Sequence, residues 1–141
     1  MNKIGSYPIE IIHWDFTGQL ISDKIKIEFD CGTALFTNTE TNNRGFTLKW
    51  RLRLIDHSNS GNFSFIIEHS HEFEKGSIAT LSLPDFMNIL KNSFNKVNEY
   101  YSNRMKDSGY PDAYIPFDVT SPEWEITYKT LQEQNNKSHH L

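Results

Sequence analysis

Two histidines spaced i, i+2, His69 and His71, are the most chemically suggestive pair in the sequence. On a β-strand that spacing puts both imidazoles on one face, where they can give two nitrogens to one metal ion. A site needs a third ligand, and no cysteine or carboxylate is placed by spacing to supply it. His13 belongs to a different stretch, and Phe73 continues the His69/His71 face, which reads as a packed surface. The pair is therefore expected to be structural, with no metal and no cofactor. His139 and His140 sit in a polar terminal segment and carry little information. The one cysteine, Cys31, excludes an intrachain disulfide, fits a reducing compartment, and falls on the apolar face of its segment as a small buried hydrophobe. There is no Gly-x-Ser-x-Gly elbow, no glycine-rich phosphate loop after a strand, and no metalloprotease or kinase signature. Glu68, Glu72 and Glu74 alternate on a solvent face, with no apolar pocket to raise a carboxyl pKa for acid–base work. An enzyme is not expected.

Charge narrows the partners. With 14 Lys and Arg against 18 Asp and Glu, the 141-residue chain carries a formal net charge of −4. A nucleic-acid binder wants a basic face. The row Lys49, Arg51, Arg53 is basic, but the acidic alternation of the next strand can lie opposite it and neutralise it. No apolar run approaches the roughly 20 residues of a membrane span, and the N-terminus lacks the apolar region of a signal peptide. No nucleic acid and no membrane insertion are expected, and the expected location is cytoplasmic.

The elements that would position these side chains are legible. Residues 24–74 read as three antiparallel strands, with Ile25, Ile27, Phe29 and Cys31, then Phe46, Leu48, Trp50, Leu52 and Leu54, then Phe63, Phe65, Ile67 and Phe73 on the packed face. The polar 37–45 connection reads as a mobile loop, and 56–62 as a turn. Residues 9–16 read as a further strand, but an irregular one. Ile9 and Ile11 fall on one side, Ile12, Trp14 and Phe16 on the other, so a second cover is expected over it. After residue 76 the period changes. Ser82 is an N-cap with Asp85 three residues on, and Phe86, Leu90, Phe94, Val97, Tyr101 and Met105 form one stripe of a long helix over residues 83–106. Gly109 and Pro111 stop it. An extended segment with Pro111 and Pro116 follows, then a short helix from Pro122 to residue 131 with Ser121 as its cap. The expectation is a single α+β domain over residues 1–131, a four-stranded antiparallel meander packed with one long helix, and a disordered polar tail at 132–141.

One sheet face under one helix cannot easily bury both Trp14, Phe16, Leu20 and Ile21 before the meander and Tyr110, Tyr114, Ile115, Phe117 and Trp124 after the helix. Such surplus marks an oligomer interface or a groove for an apolar partner. The order of elements, with residues 8–15 as first strand, the Tyr101-Ser102-Asn103-Arg104 helix end, Gly109-Tyr110-Pro111 and Ile115-Pro116-Phe117-Asp118, resembles the SecB-like export chaperones across most of the chain. The resemblance implies an ATP-independent holdase, a homo-oligomer built as a dimer of dimers, which holds unfolded or preprotein-like polypeptide in apolar grooves without nucleotide or metal. The grooves are expected near Trp14, Phe16, Leu20, Phe36, Tyr110 and Phe117. The sequence departs from the family in a brief 76–81 crossover, in the basic Lys49, Arg51 and Arg53, and in a tail that is not acidic. These departures put binding to an export motor in doubt. They fit as well a specialised relative serving a toxin–antitoxin pair or phage-borne proteins. The rival readings are a structural or adaptor subunit for one dedicated partner, and a small-ligand or metal site at His69 and His71.

Overall fold

The computed structural model of the chain describes residues 3–6, 10–17, 26–56, 61–74, 76–107, 115, 117–118 and 120–139, of which 3–6, 10–17, 56, 61 and 138–139 by their backbone alone. The elements follow in the order β1 (Lys3–Ser6), β2 (Glu10–Thr17), β3 (Lys26–Thr37), β4 (Arg44–Asp56), β5 (Gly61–Phe73), one 3₁₀ turn (Ser77–Thr80), α1 (Leu83–Asp107) and α2 (Pro122–His139). β3, β4 and β5 form the antiparallel meander that their alternation predicts. β1 and β2 do not extend it beyond β3. Both pair antiparallel with β5, on the side away from β4. The expected four-stranded meander is corrected accordingly: the first edge, in two segments, joins the last strand. Residues 18–25 are too many for a tight hairpin, so nothing local forces β2 beside β3.

The register of β2 explains its irregular pattern. Ile11 lies opposite Ile67 but His13 opposite Ile66, so β2 takes two steps where β5 takes one, a β-bulge around Ile12. Beyond the bulge, Trp14 and Phe16 take the positions opposite the buried Phe65 and Phe63. A one-residue slip exchanges the two faces of a strand. The bulge therefore sets Ile11, Trp14 and Phe16 all opposite inward residues of β5.

The core lies between the sheet and the helices. Phe46, Leu48, Trp50, Leu52 and Leu54 of β4 and Phe63, Phe65 and Ile67 of β5 are buried, as are Phe86, Leu90, Val97, Tyr101 and Met105 of the predicted α1 stripe. α1 begins as its cap predicts, with the Asp85 N–H donating to Ser82 Oγ at 3.2 Å and the Phe86 N–H to the Ser82 carbonyl at 2.9 Å. Tyr101 is so enclosed that desolvation pushes its phenol up to about 12.

Ser93, a polar residue inside the stripe, is fully buried because the Trp50 indole N–H donates to its Oγ at 2.8 Å. Ser93→Ala would strand that donor in the core. The expected loss is about 1–3 kcal/mol, read as a lower urea midpoint at unchanged m-value. An unchanged midpoint would show that another acceptor serves Trp50.

Two other expectations change. The helix predicted to end at residue 131 runs to His139, so the chain has a second substantial helix, and the tail predicted disordered from 132 is helical through 139. The signal was hidden because hydrogen bonds, more than apolar burial, anchor that end. Gln132 Nε2 donates to the Ile78 carbonyl at 2.7 Å, and the buried Asn135 accepts from Arg44 at Oδ1 and at its carbonyl. Glu72, predicted on the solvent face, is buried. Its carboxylate accepts from Asn38 Nδ2 at 2.8 Å and Asn43 Nδ2 at 3.4 Å, so the 38–43 loop is tied to β5. Elsewhere on the outer face Lys49 lies 4.0 Å from Glu68 of β5, as charge alternation suggests, whereas Arg51 makes its two-pronged bond, at 2.8 and 3.1 Å, to Asp30 of β3.

Candidate functional site

The inward face of β3 is where the core is least covered. β3 pairs with β4 alone, which makes it the edge of the described sheet on that side. Register sets Ile27, Phe29, Cys31, Thr33 and Leu35 opposite Leu54, Leu52, Trp50, Leu48 and Phe46. Every one of those β4 partners is buried, whereas Ile27 is 42% exposed and the other four β3 residues are half-buried. α1 packs over β4 and β5 and reaches β3 through Phe94, whose ring meets Phe29 edge-on at 6.2 Å; α2 and the segment before it cover more of β3.

That segment brings aromatic rings together. Phe117 stacks on Phe94 of α1, with ring centroids 4.1 Å apart and planes 13° apart. Trp50 of β4 and Trp124 of α2 each meet Phe117 at 5.5 Å, and Phe29 of β3 meets it at 6.5 Å. Such offset and edge-on contacts hold aromatic clusters in shape. α2 is placed to present Trp124 by its cap, the Glu123 N–H donating to Ser121 Oγ at 3.4 Å, and by the Trp124 indole N–H donating to the Asp118 carbonyl at 2.9 Å.

Between β3 and the start of α2 lies a groove of about 330 Å³, with Phe29, Cys31, Phe117 and Trp124 in its walls and Asp118 and Glu123 on its rim. The Thr120 hydroxyl and backbone N–H both donate to Asp118, which holds its carboxyl below the ordinary carboxylate range. Burial, with Asp30 alongside, pushes the Cys31 thiol well above its ordinary pKa, which suits packing and not nucleophilic attack. Chemically the site offers apolar burial, an acidic rim and, along β3, strand-edge backbone groups that an extended chain can pair with.

Of the six residues predicted from the sequence, Phe117 stands in this groove. Phe36 does not. It pairs with Gly45, whose neighbour Phe46 is inward, so Phe36 lies on the outer face of the sheet, its ring over Gly45. Trp14 and Phe16 are placed by backbone register opposite Phe65 and Phe63, and Leu20 and Tyr110 lie outside the described residues. The sequence reading missed Phe29 as a site residue because its periodicity marks a core position. Only the knowledge that β3 is an edge shows that its core face is half open.

His69 and His71 share the inward face, as their spacing predicts, and are buried with ring centroids 4.4 Å apart. His69 Nδ1 lies 3.4 Å from Ser93 Oγ, and His71 stacks on Phe46 at 5.6 Å. Among the described residues no three His, Cys, Asp or Glu side chains are grouped to hold a metal ion.

No protein-family model matches the chain, and no curated protein sequence matches it at a significant level. A solved structure that shares its fold is the Mycobacterium tuberculosis Rv1957 SecB-like chaperone in complex with a ChAD peptide from Rv1956 HigA1 antitoxin. The two are 8% identical. The match covers 81% of this chain and 90% of that one, with a TM-score of 0.51. At that identity the likeness shows the fold: an α+β unit of antiparallel sheet and two helices, like that of a SecB-like chaperone.

Proposed function

We propose that this chain is an ATP-independent holdase that binds unfolded or extended polypeptide along β3, working as a homo-oligomer. The observation that carries the reading is the half-exposed apolar face of an edge strand, Ile27 to Leu35, beside the aromatic groove of Phe29, Phe117 and Trp124. A segment lying there gains apolar burial for alternate side chains and main-chain hydrogen bonds from the edge, which together give broad selectivity. The acidic rim favours segments that carry Lys or Arg beside their apolar residues. Phe117 is the proposed anchor; Phe36, on the opposite face, and Trp14 and Phe16, on the strand that pairs with β5 at the other side of the sheet, are left out. The fold shared with a SecB-like chaperone that is bound to a peptide supports this reading. A cytoplasmic place of action goes with it; no helix among the described residues is long and apolar enough to cross a membrane.

The test is aggregation suppression. An unrelated client is diluted from denaturant with near-stoichiometric amounts of this protein and no nucleotide, and dose-dependent suppression is expected. Failure by demonstrably folded protein would sink the holdase reading. The runner-up would then stand, an adaptor for one dedicated partner, which the single antitoxin peptide on the structural neighbour favours. Its mark is stable co-purification with that one partner.

A further inference from the structure

We infer that a second cavity, at the far end of α2 from the aromatic groove, is a binding site for a small oxyanion, a carboxylate or a phosphate group. The inference does not depend on where polypeptide binds.

The cavity measures about 220 Å³ and lies where the end of β3, the 38–43 loop, the start of β4, the 3₁₀ turn and the last part of α2 meet. Of its lining, Ile78 and Asn135 are buried and Arg44 is half-buried, while Thr37, Asn42 and Asn136 are exposed. The polar groups are thus one guanidinium, three amides and one hydroxyl. No Asp or Glu among the described residues belongs to the lining.

Asn135 points most directly to a ligand. Arg44 Nη1 donates to its Oδ1 at 3.1 Å and to its carbonyl at 3.2 Å. A guanidinium has donors only, so it must meet the amide oxygen, and the Nδ2 group is turned away from it. That Nδ2 has no acceptor among the described residues, although Asn135 is only 3% exposed. A buried donor left without an acceptor is costly, so one beside a cavity shows where an acceptor belongs. The side chains of Thr37, Asn42 and Asn136 likewise make no hydrogen bond among the described residues.

Water could satisfy these amides as well as a ligand could. Arg44 decides the charge: it repels a cation, whereas a carboxylate or phosphate oxygen gains attraction and charge-assisted hydrogen bonds. The site is also preformed, which lowers the cost of binding. Arg44 and Asn135 hold each other. Asn42, in the left-handed region at φ 63°, is fixed by its N–H donating to the Asn38 carbonyl at 2.8 Å, and Asn38 and Asn43 are tied to Glu72. A ligand there touches the sheet and α2 together, so it stabilises the fold as its concentration rises.

The probes are succinate and inorganic phosphate, each titrated at constant ionic strength against chloride. The readouts are side-chain NH2 resonances of ¹⁵N-labelled protein and the Tm. At least one probe is expected to give saturable shifts at Asn135 and Asn136, with a Tm that rises along the same curve. Saturation by succinate alone would assign the site to carboxylates, by phosphate alone to phosphates, and by both to oxyanions in general. Asn136→Asp, an exposed and nearly isosteric change, adds a negative charge to the lining and is expected to weaken binding at least about tenfold. Arg44→Gln removes the positive charge and can still donate to Asn135, and a loss of similar size is expected. Arg44 also tethers α2, so Asn136→Asp keeps the test decisive if Arg44→Gln does not fold. The inference is overturned if neither probe gives saturable shifts with folded wild-type protein, or if Asn136→Asp binds as tightly as wild type. A failure to suppress aggregation, by contrast, would count against the polypeptide reading alone.

Discussion

Gly45→Ala is expected to destabilise the protein by about 3 kcal/mol or more, while Gly32→Ala on the neighbouring strand changes stability by less than about 0.5 kcal/mol. A Cβ built on Gly45 would lie 2.1 Å from the His71 carbonyl oxygen and 2.5 Å from the Phe36 ring. The ring can swing aside, but the carbonyl belongs to β5 and moves only if the β4–β5 ladder shifts with it. Gly32 has no atom within 4 Å of the equivalent position. Urea denaturation of the two variants side by side provides the measurement. A Gly45→Ala protein within about 1 kcal/mol of wild type would mean that the His71 carbonyl does not approach Gly45 as closely as described. Gly45 is the missing side chain that lets an aromatic on β3 lie flat on the outer face.

Much of this architecture is legible in the residues themselves. Alternation in β3, β4 and β5 is nearly perfect, and a packed sheet face enforces it. The α1 stripe and the Ser82 cap are equally plain. What escaped the sequence reading did so for particular reasons. β2 carries apolar residues in two phases because a bulge at Ile12 changes phase midway, and a strict period of two cannot represent that. The second half of α2 looks like tail because Gln132 and Asn135 are polar; they are ordered by acceptors on the 3₁₀ turn and by a donor on β4, partners far away in sequence. Glu72 reads as one more solvent carboxylate until the 38–43 loop is seen to fold over it. The groove was the least legible part. Phe29 and Leu52 look alike as core residues of alternating strands, and only strand order makes one of them half open. Phe117 was found as part of an apolar surplus beside prolines, a compositional clue with no geometry attached.

Phe117→Ser is expected to weaken polypeptide binding by about 2 kcal/mol, roughly thirtyfold, whereas Phe36→Ser changes it less than about threefold. Phe117 sits where four elements converge: its ring touches Phe29 of β3, Trp50 of β4, Phe94 of α1 and Trp124 of α2. It is half-buried, so it has area left to give to a ligand while its orientation is fixed by neighbours, and a positioned aromatic of this kind is where binding energy concentrates. The same contacts mean that the substitution also costs folding stability, by about 1–3 kcal/mol. Binding is therefore to be read at a temperature where circular dichroism shows the variant folded. Phe36→Ser serves as the matched control, since it removes a half-buried aromatic from the same strand-edge region on the opposite face. Equal losses from the two substitutions would place polypeptide binding somewhere other than the inward face of β3. A loss from Phe36→Ser alone would transfer the site to the outer face, where Lys49, Arg51 and Glu68 in place of aromatic rings would have to account for it.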